Sequence, residues 1–221
     1  MLKVQCVSST LNTVKLHVFQ HTMIHIERNH VMKKMISLLL TCIMSLSLAG
    51  CTASGKKPQG TTVTSAVEFY TQVWDAFGED NQFPCAGGDA EHETEGPAKF
   101  VLNEENKETF QYLLHVTDEL YDMLEDDVAT LQHMMNTNTF SSAVAKLKDP
   151  AKASSFAKEY TEAVQNQQWM CGFPDKVVVI SVDDYVVMAY GMEELIDCLA
   201  DTCSTIAPQS AVLADEPAFV E

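Results

Sequence analysis

Lys176-Val177-Val178-Val179-Ile180-Ser181-Val182-Asp183-Asp184-Tyr185-Val186-Val187-Met188-Ala189-Tyr190 is the stretch on which the fold turns. β-Branched and aromatic residues fill both halves, and the two aspartates between them tolerate the left-handed backbone of a two-residue hairpin loop. Two antiparallel strands joined by a tight turn are therefore predicted. Neither half alternates apolar with polar, so both strands belong inside a sheet.

Working upstream, Gly172 and Pro174 end a helix that Asp149-Pro150 opens, with aspartate as cap and proline at the first helical position. Ala153, Phe156, Ala157, Tyr160, Ala163 and Val164 form its apolar stripe, and Lys152, Lys158, Glu159, Glu162 and Gln165 lie outside it. Before it, the turn formers between Met135 and Phe140 predict a second hairpin from about Thr130 to Lys148. After Gly191, the residues Met192, Leu195, Ile196, Leu199, Cys203 and Ile206 line one face of another helix. The order β-β-α-β-β-α predicts an α+β fold: an antiparallel four-stranded sheet with helices packed on one face.

The rest of the chain is arranged around that unit. Ser65-Ala66-Val67-Glu68 is a capping box, and Ala66, Tyr70, Val73, Trp74 and Phe77 recur at helical spacing, which adds an N-terminal helix ending near Phe77. Residues 79–98 read as loop, with Pro84, Gly87, Gly88, Gly96 and Pro97. Phe110, Leu113, Leu114, Leu120 and Leu124 suit helical turns without defined ends. A single domain is expected over 65–207, followed by a frayed tail over 208–221.

Residues 32–50 have a different character. Met32-Lys33-Lys34 is a basic start, Met35 to Ala49 is an uncharged run of about 15 residues, and small residues precede Cys51. A membrane-spanning helix needs roughly 20 residues, so the run reads as a signal peptide that is removed. Leu48-Ala49-Gly50-Cys51 resembles the bacterial lipobox, in which the cysteine thiol takes a diacylglyceryl group and cleavage falls just before it. The competing reading is an ordinary secretory signal with an incidental Cys51. Residues 1–31 precede the signal and read as a mis-assigned start, with Met32 the true initiator, so the helical spacing of His17, His21 and His25 is not taken as a metal stripe. Residues 51–64, rich in Gly, Ser, Thr and Lys, read as a flexible tether.

Charge narrows the partners. The 221-residue chain has 14 basic and 31 acidic residues, a net charge of -17. Lys3, Lys15, Arg28, Lys33, Lys34 and Glu27 leave with the first fifty residues, so the mature part keeps nine Lys, no Arg and 30 acidic residues, for a net charge of -21. Nucleic acid is excluded as a partner, because phosphate would be repelled and the side chain best suited to gripping it is missing. Cations or basic peptides fit such a surface, which also serves simply to keep an exported protein soluble.

Four cysteines remain in the mature part besides Cys51: Cys85, Cys171, Cys198 and Cys203. Five residues along one helix rise about 7.5 Å, beyond disulfide reach, so Cys198 and Cys203 do not pair if they share a helix. In an extracytoplasmic compartment the four allow three pairings if all are oxidised, and sequence alone does not choose among them; Cys85 with Cys171 is the pair to test first, with buried free thiols the alternative for Cys198 and Cys203.

Trp169-Met170-Cys171-Gly172-Phe173-Pro174-Asp175-Lys176, Asp184-Tyr185-Val186-Val187, His133-Met134-Met135-Asn136 and Phe83-Pro84-Cys85-Ala86-Gly87-Gly88-Asp89 together resemble a family of clostridial lipoproteins over about residues 65–205. Its members often carry the name "bacteriocin transport accessory protein", and the hairpin-helix-hairpin half is similar to a domain of unknown function common in Firmicutes lipoproteins. The resemblance implies a membrane-anchored accessory protein beside a peptide exporter. It carries over no catalytic or binding residue. Better-defined accessory proteins of that name are thioredoxin-like and use Cys-x-x-Cys, which this chain lacks.

Three sets of residues bear on chemistry. Asp89, Glu91, His92 and Glu93, with Glu95, crowd a glycine-flanked loop and offer oxygen and imidazole ligands to a metal, but in an order that matches no defined metal loop. A solvated acidic loop is the simpler reading, and it applies equally to Asp122, Glu125, Asp126 and Asp127. Cys171 with His133 or His115 offers a nucleophile and base without a family signature, and packing beside Trp169, Met170 and Phe173 is the simpler role for that cysteine. Met123, Met134, Met135, Met170, Met188 and Met192 line either an adaptable peptide groove or a core. The expectation is therefore a lipid-anchored extracytoplasmic accessory or binding module without catalytic residues or cofactor, held to the bilayer through Cys51 and facing an exporter or basic peptide. The alternative is an extracytoplasmic thiol- or metal-dependent enzyme.

Overall fold

Asp183 adopts the left-handed conformation (φ 51) that a two-residue hairpin loop demands, and it joins β5 (Lys176–Val182) to β6 (Tyr185–Gly191). The structure, a computed structural model, describes residues 62–135, 137–170 and 172–219. The leader, the signal segment, Cys51, the tether up to residue 61, and Cys171 lie outside the described residues. The second expected hairpin is β3 (Leu124–His133) with β4 (Phe140–Leu147), and β4 pairs antiparallel with β6, from Phe140 opposite Gly191 to Lys146 opposite Tyr185.

The sheet is larger than expected. It has seven antiparallel strands, not four. Two short strands, β1 (Cys85–Ala86) and β2 (Ala98–Lys99), pair with the outer side of β3, and β7 (Ala211–Pro217) pairs with the outer side of β5. The tail expected to fray over 208–221 is thus an edge strand as far as Pro217. Its alternation is invisible in sequence because an edge strand buries little, and Asp215, Glu216 and Pro217 read as loop formers.

Helices pack on both faces, which corrects the one-sided arrangement. On the first face, α1 (Ala66–Ala76) and α5 (Glu193–Ile206) cover Ala129, Leu131, Val144, Val178, Ile180, Val187 and Ala189. On the second, α2 (Lys107–Leu114), α3 (Asp118–Tyr121) and α4 (Ala153–Gln165) cover Val128, Ala143, Ala145, Val177, Val179, Val186 and Met188. The cause lies in the two hairpin strands: every residue of β6 is buried. Leaving one face wet would expose Val177, Val179, Val186 and Met188, at about 1.5–3 kcal/mol each. That sum rivals the net stability of a whole domain, so a second helical layer is required.

Local signals held where they were specific. Ser65 caps α1 by accepting the N–H of Glu68, and Asp149 caps the 3-10 turn Pro150–Lys152 that leads into α4 by accepting the N–H of Ala151 at 3.1 Å. Ordered structure starts earlier than residue 65, since Val63 is buried and its N–H is bound at 2.9 Å by the Asp183 carboxylate. Asp127 adds a second clasp, accepting the Ala66 N–H at 3.1 Å and the Tyr185 hydroxyl at 2.7 Å. Both clasps lie at the end of the sheet that holds the β5–β6 turn.

Candidate functional site

The loop after β1 is built on one carboxylate. Asp89 is only 5% exposed, and its Oδ1 accepts the N–H groups of Glu91 (3.0 Å) and His92 (3.1 Å) and meets His92 Nδ1 at 2.7 Å. Its Oδ2 accepts the Val101 N–H at 2.7 Å. Burial pushes the acid's pKa up, but the hydrogen bonds from Val101, His92 and Glu91 outweigh it, and the net effect holds Asp89 below the ordinary carboxylate range. Gly87 sits where a Cβ would lie 2.3 Å from the carbonyl oxygens of Gly96 and Thr130, so the loop lies tightly against β3. Of the four suggested ligands, the fold brings Asp89 and His92 together and leaves Glu91 and Glu93 in solvent. Both Asp89 oxygens already serve the backbone. Among the described residues, no three His, Cys, Asp or Glu side chains are grouped to hold a metal ion.

The thiols are placed for packing. Cys85 is a free, buried thiol under β3, and Cys171, the partner to test first for it, lies outside the described residues. Cys198 and Cys203 share α5 and are free, as helical spacing requires. Burial pushes all three thiols upward, Cys203 up to about 12, the reverse of what a thiolate nucleophile needs. His133 stacks on Phe83 (4.7 Å between ring centres), and its Nδ1 accepts the Met135 N–H at 2.9 Å. His115 caps α2 in the left-handed conformation (φ 56) and packs between Trp169 and Tyr190. Burial lowers the pKa of both imidazoles.

The acidic run on β3 lines an open groove of about 470 Å³ between Tyr121, Asp122, Glu125, Asp126 and Lys148. Two of its carboxylates and its lysine serve the structure: Asp126 accepts the Leu102 N–H at 2.9 Å, Glu125 pairs with Lys146 at 3.0 Å, and Lys148 donates to the Asp122 backbone carbonyl at 2.8 Å.

The opposite end of the sheet is unlike this one. There β3 ends, β4 starts, β6 ends, β5 starts and β7 ends, with Phe140 opposite Gly191, and Lys176 opposite both Gly191 and Pro217. Met134 and Met135 project from the β3–β4 loop with 64% and 55% of their surface exposed. Met170 (86%) and Phe173 (60%) project from the segment entering β5, and Phe219, just past β7, has its ring 6.0 Å from that of Phe173. Tyr112 (79%) lies on the last turn of α2, whose Leu113 carbonyl takes the Tyr190 hydroxyl at 2.8 Å. Of the methionines weighed in the sequence, Met188 is core and Met134, Met135 and Met170 are surface. The exposure of Tyr112, Phe173 and Phe219 has no sequence signal beyond Gly172 and Pro174 flanking one of them.

This is an α+β domain with a two-sided antiparallel sheet and an apolar rim at one end. No protein-family model, curated protein or solved structure matches the chain.

Proposed function

We propose that the chain is a lipid-anchored extracytoplasmic binding or accessory module, tethered through Cys51 and working beside a peptide exporter. The carrying observation is the domain's polarity. The chain comes from the tether at the end where Asp183 and Asp127 clasp Val63 and Ala66, and the exposed apolar side chains gather at the far end. The anchoring segment therefore enters the domain at the end opposite the rim and leaves the rim free to meet a partner. Two acyl chains on the Cys51 thiol, at about 0.8 kcal/mol per buried methylene, anchor stably where one binds only transiently. Among the described residues no helix is long and apolar enough to cross a membrane. The lipobox-like Leu48-Ala49-Gly50-Cys51 and the resemblance to clostridial accessory lipoproteins support the same reading.

Replacing the acceptor tests it. A Cys51→Ala variant exported on an ordinary cleavable secretory leader should move from the membrane pellet to the soluble fraction, and the native protein should carry a diacylglyceryl mass at its N-terminus. A cleaved variant that stays in the pellet as before would overturn the anchor.

A further inference from the structure

We propose that the apolar rim at the far end of the sheet is a docking surface for a cationic amphipathic peptide segment, one that interleaves Lys or Arg with Leu, Phe or Trp. This rests on the binding-module reading and names the surface and the partner's chemistry.

Concentration of apolar surface is the first support. Among the described residues, six of the seven large hydrophobic side chains that stand exposed (Tyr112, Met134, Met135, Met170, Phe173 and Phe219) belong to this end, and Val212 is the exception. Single exposed apolar residues are ordinary, but a gathering from four separate segments marks an interaction surface. The backbone beneath them is fixed: the Asp175 N–H donates to Gly191 O at 2.9 Å, the Ala218 N–H to Asp175 O at 2.9 Å, and the Met192 N–H to Thr139 O at 2.8 Å. The thioethers adapt to varied apolar partners.

Charge selects the occupant. The exposed carboxylates Asp175, Glu193 and Glu194 sit beside the rim at the start of β5 and α5. The one described lysine at this end, Lys176, has its ammonium held by Asp197 at 2.6 Å and Asp215 at 2.8 Å. Lys146, Lys148 and Lys152 lie at the opposite end, near the β5–β6 turn. A second copy of this chain would set acid against acid, and an anionic bilayer would repel the rim for the same reason. A peptide with both cationic and apolar side chains satisfies both halves of the surface.

The test is calorimetric titration of the purified full-length protein, in phosphatidylcholine nanodiscs when it carries lipid and in buffer when it does not, with empty nanodiscs subtracted. Three synthetic peptides of about twenty residues serve as probes: Lys/Leu, Glu/Leu and Lys/Ser. The Lys/Leu peptide alone should bind, and raising salt from about 0.05 M to about 0.3 M should weaken it several-fold. The double variant Met170→Gln, Phe173→Gln keeps every charge and should lose about tenfold in affinity with an unchanged urea midpoint. Asp184→Asn, at the other end, should bind as the native protein does. Equal binding by the Met170/Phe173 variant would overturn the surface assignment, and equal binding of Lys/Ser would reduce the contact to non-specific charge. Concentration-dependent dimerisation abolished by the double variant would assign the rim to a second copy instead. None of these outcomes depends on Cys51 fractionation, so the anchor and the surface fail separately.

Discussion

Two buried tyrosines show what a hydroxyl is worth when its surroundings differ. Tyr70 is fully buried and donates to Ser142 Oγ, which in turn donates to the Leu131 carbonyl at 3.0 Å. Tyr160 is equally buried, on α4, and its hydroxyl has no hydrogen-bond partner among the described residues. Tyr70→Phe should therefore cost about 1 kcal/mol, and Tyr160→Phe should be neutral or stabilising by a similar amount, because it removes a desolvated group that nothing compensates. Urea unfolding of the two variants reads the difference in sign directly. Asp89 supplies the acid-sensitive case. Its pKa is depressed in the fold, so its contribution is present above the unfolded value of about 4 and is lost as pH falls through the lower folded value. Asp89→Asn puts an N–H where the loop offers only donors, so it should cost about 2 kcal/mol at neutral pH and flatten the acid limb of the stability curve. A variant with native stability and an unchanged acid limb would show that the carboxylate does not clamp the loop.

At the scale of elements, β7 is the sharpest case, because its sequence reads as a tail and its position reads as structure. It pairs with β5 from Ser181 opposite Ala211 to Lys176 opposite Pro217, and Gln165 of α4 donates to the Pro217 carbonyl at 2.8 Å. Lys176 is shared between β7, through Asp215, and α5, through Asp197, which ties the edge strand to the first helical face. Truncation after Ala207 should strip one edge of β5, uncover Val177 and Val179, and cost on the order of 3 kcal/mol of stability, read as a lower urea midpoint. A truncated chain with native stability would restore the frayed-tail reading. The helix caps behave oppositely, being legible in sequence: Ser65 and Asp149 each accept an N–H from the first turn they open, since capping needs only a side-chain oxygen and a few neighbouring residues.

At the scale of the whole molecule, cover on both faces of the sheet follows from its central hairpin. The two strands around Asp183-Asp184 are apolar on both faces, and a strand of that kind requires cover on both sides. The one-sided arrangement instead followed the short connections of β-β-α-β-β-α, but α2, α3 and α4 fill one face while α1 and α5 fill the other. Polarity of the domain follows from the same topology. The ends of β3, β6 and β7 and the starts of β4 and β5 lie at the rim, and the opposite end is held by carboxylates of Asp127 and Asp183, which in sequence look like any other acidic residues.

What these 221 residues settle alone is local: the Asp183-Asp184 turn, the caps, the helical stripes and the strong negative charge, each legible from neighbours a few positions apart or from composition. What the tertiary structure decides is which distant residues meet: β7 against β5, two helical layers instead of one, Asp89 against the Val101 N–H, and Met134, Met170 and Phe219 at a common end. The division has a physical origin. Turns and caps are stabilised by contacts within one or two turns of chain, whereas edge strands, buried carboxylates and surface patches draw their energy or their exposure from segments far apart in sequence, which no local pattern encodes.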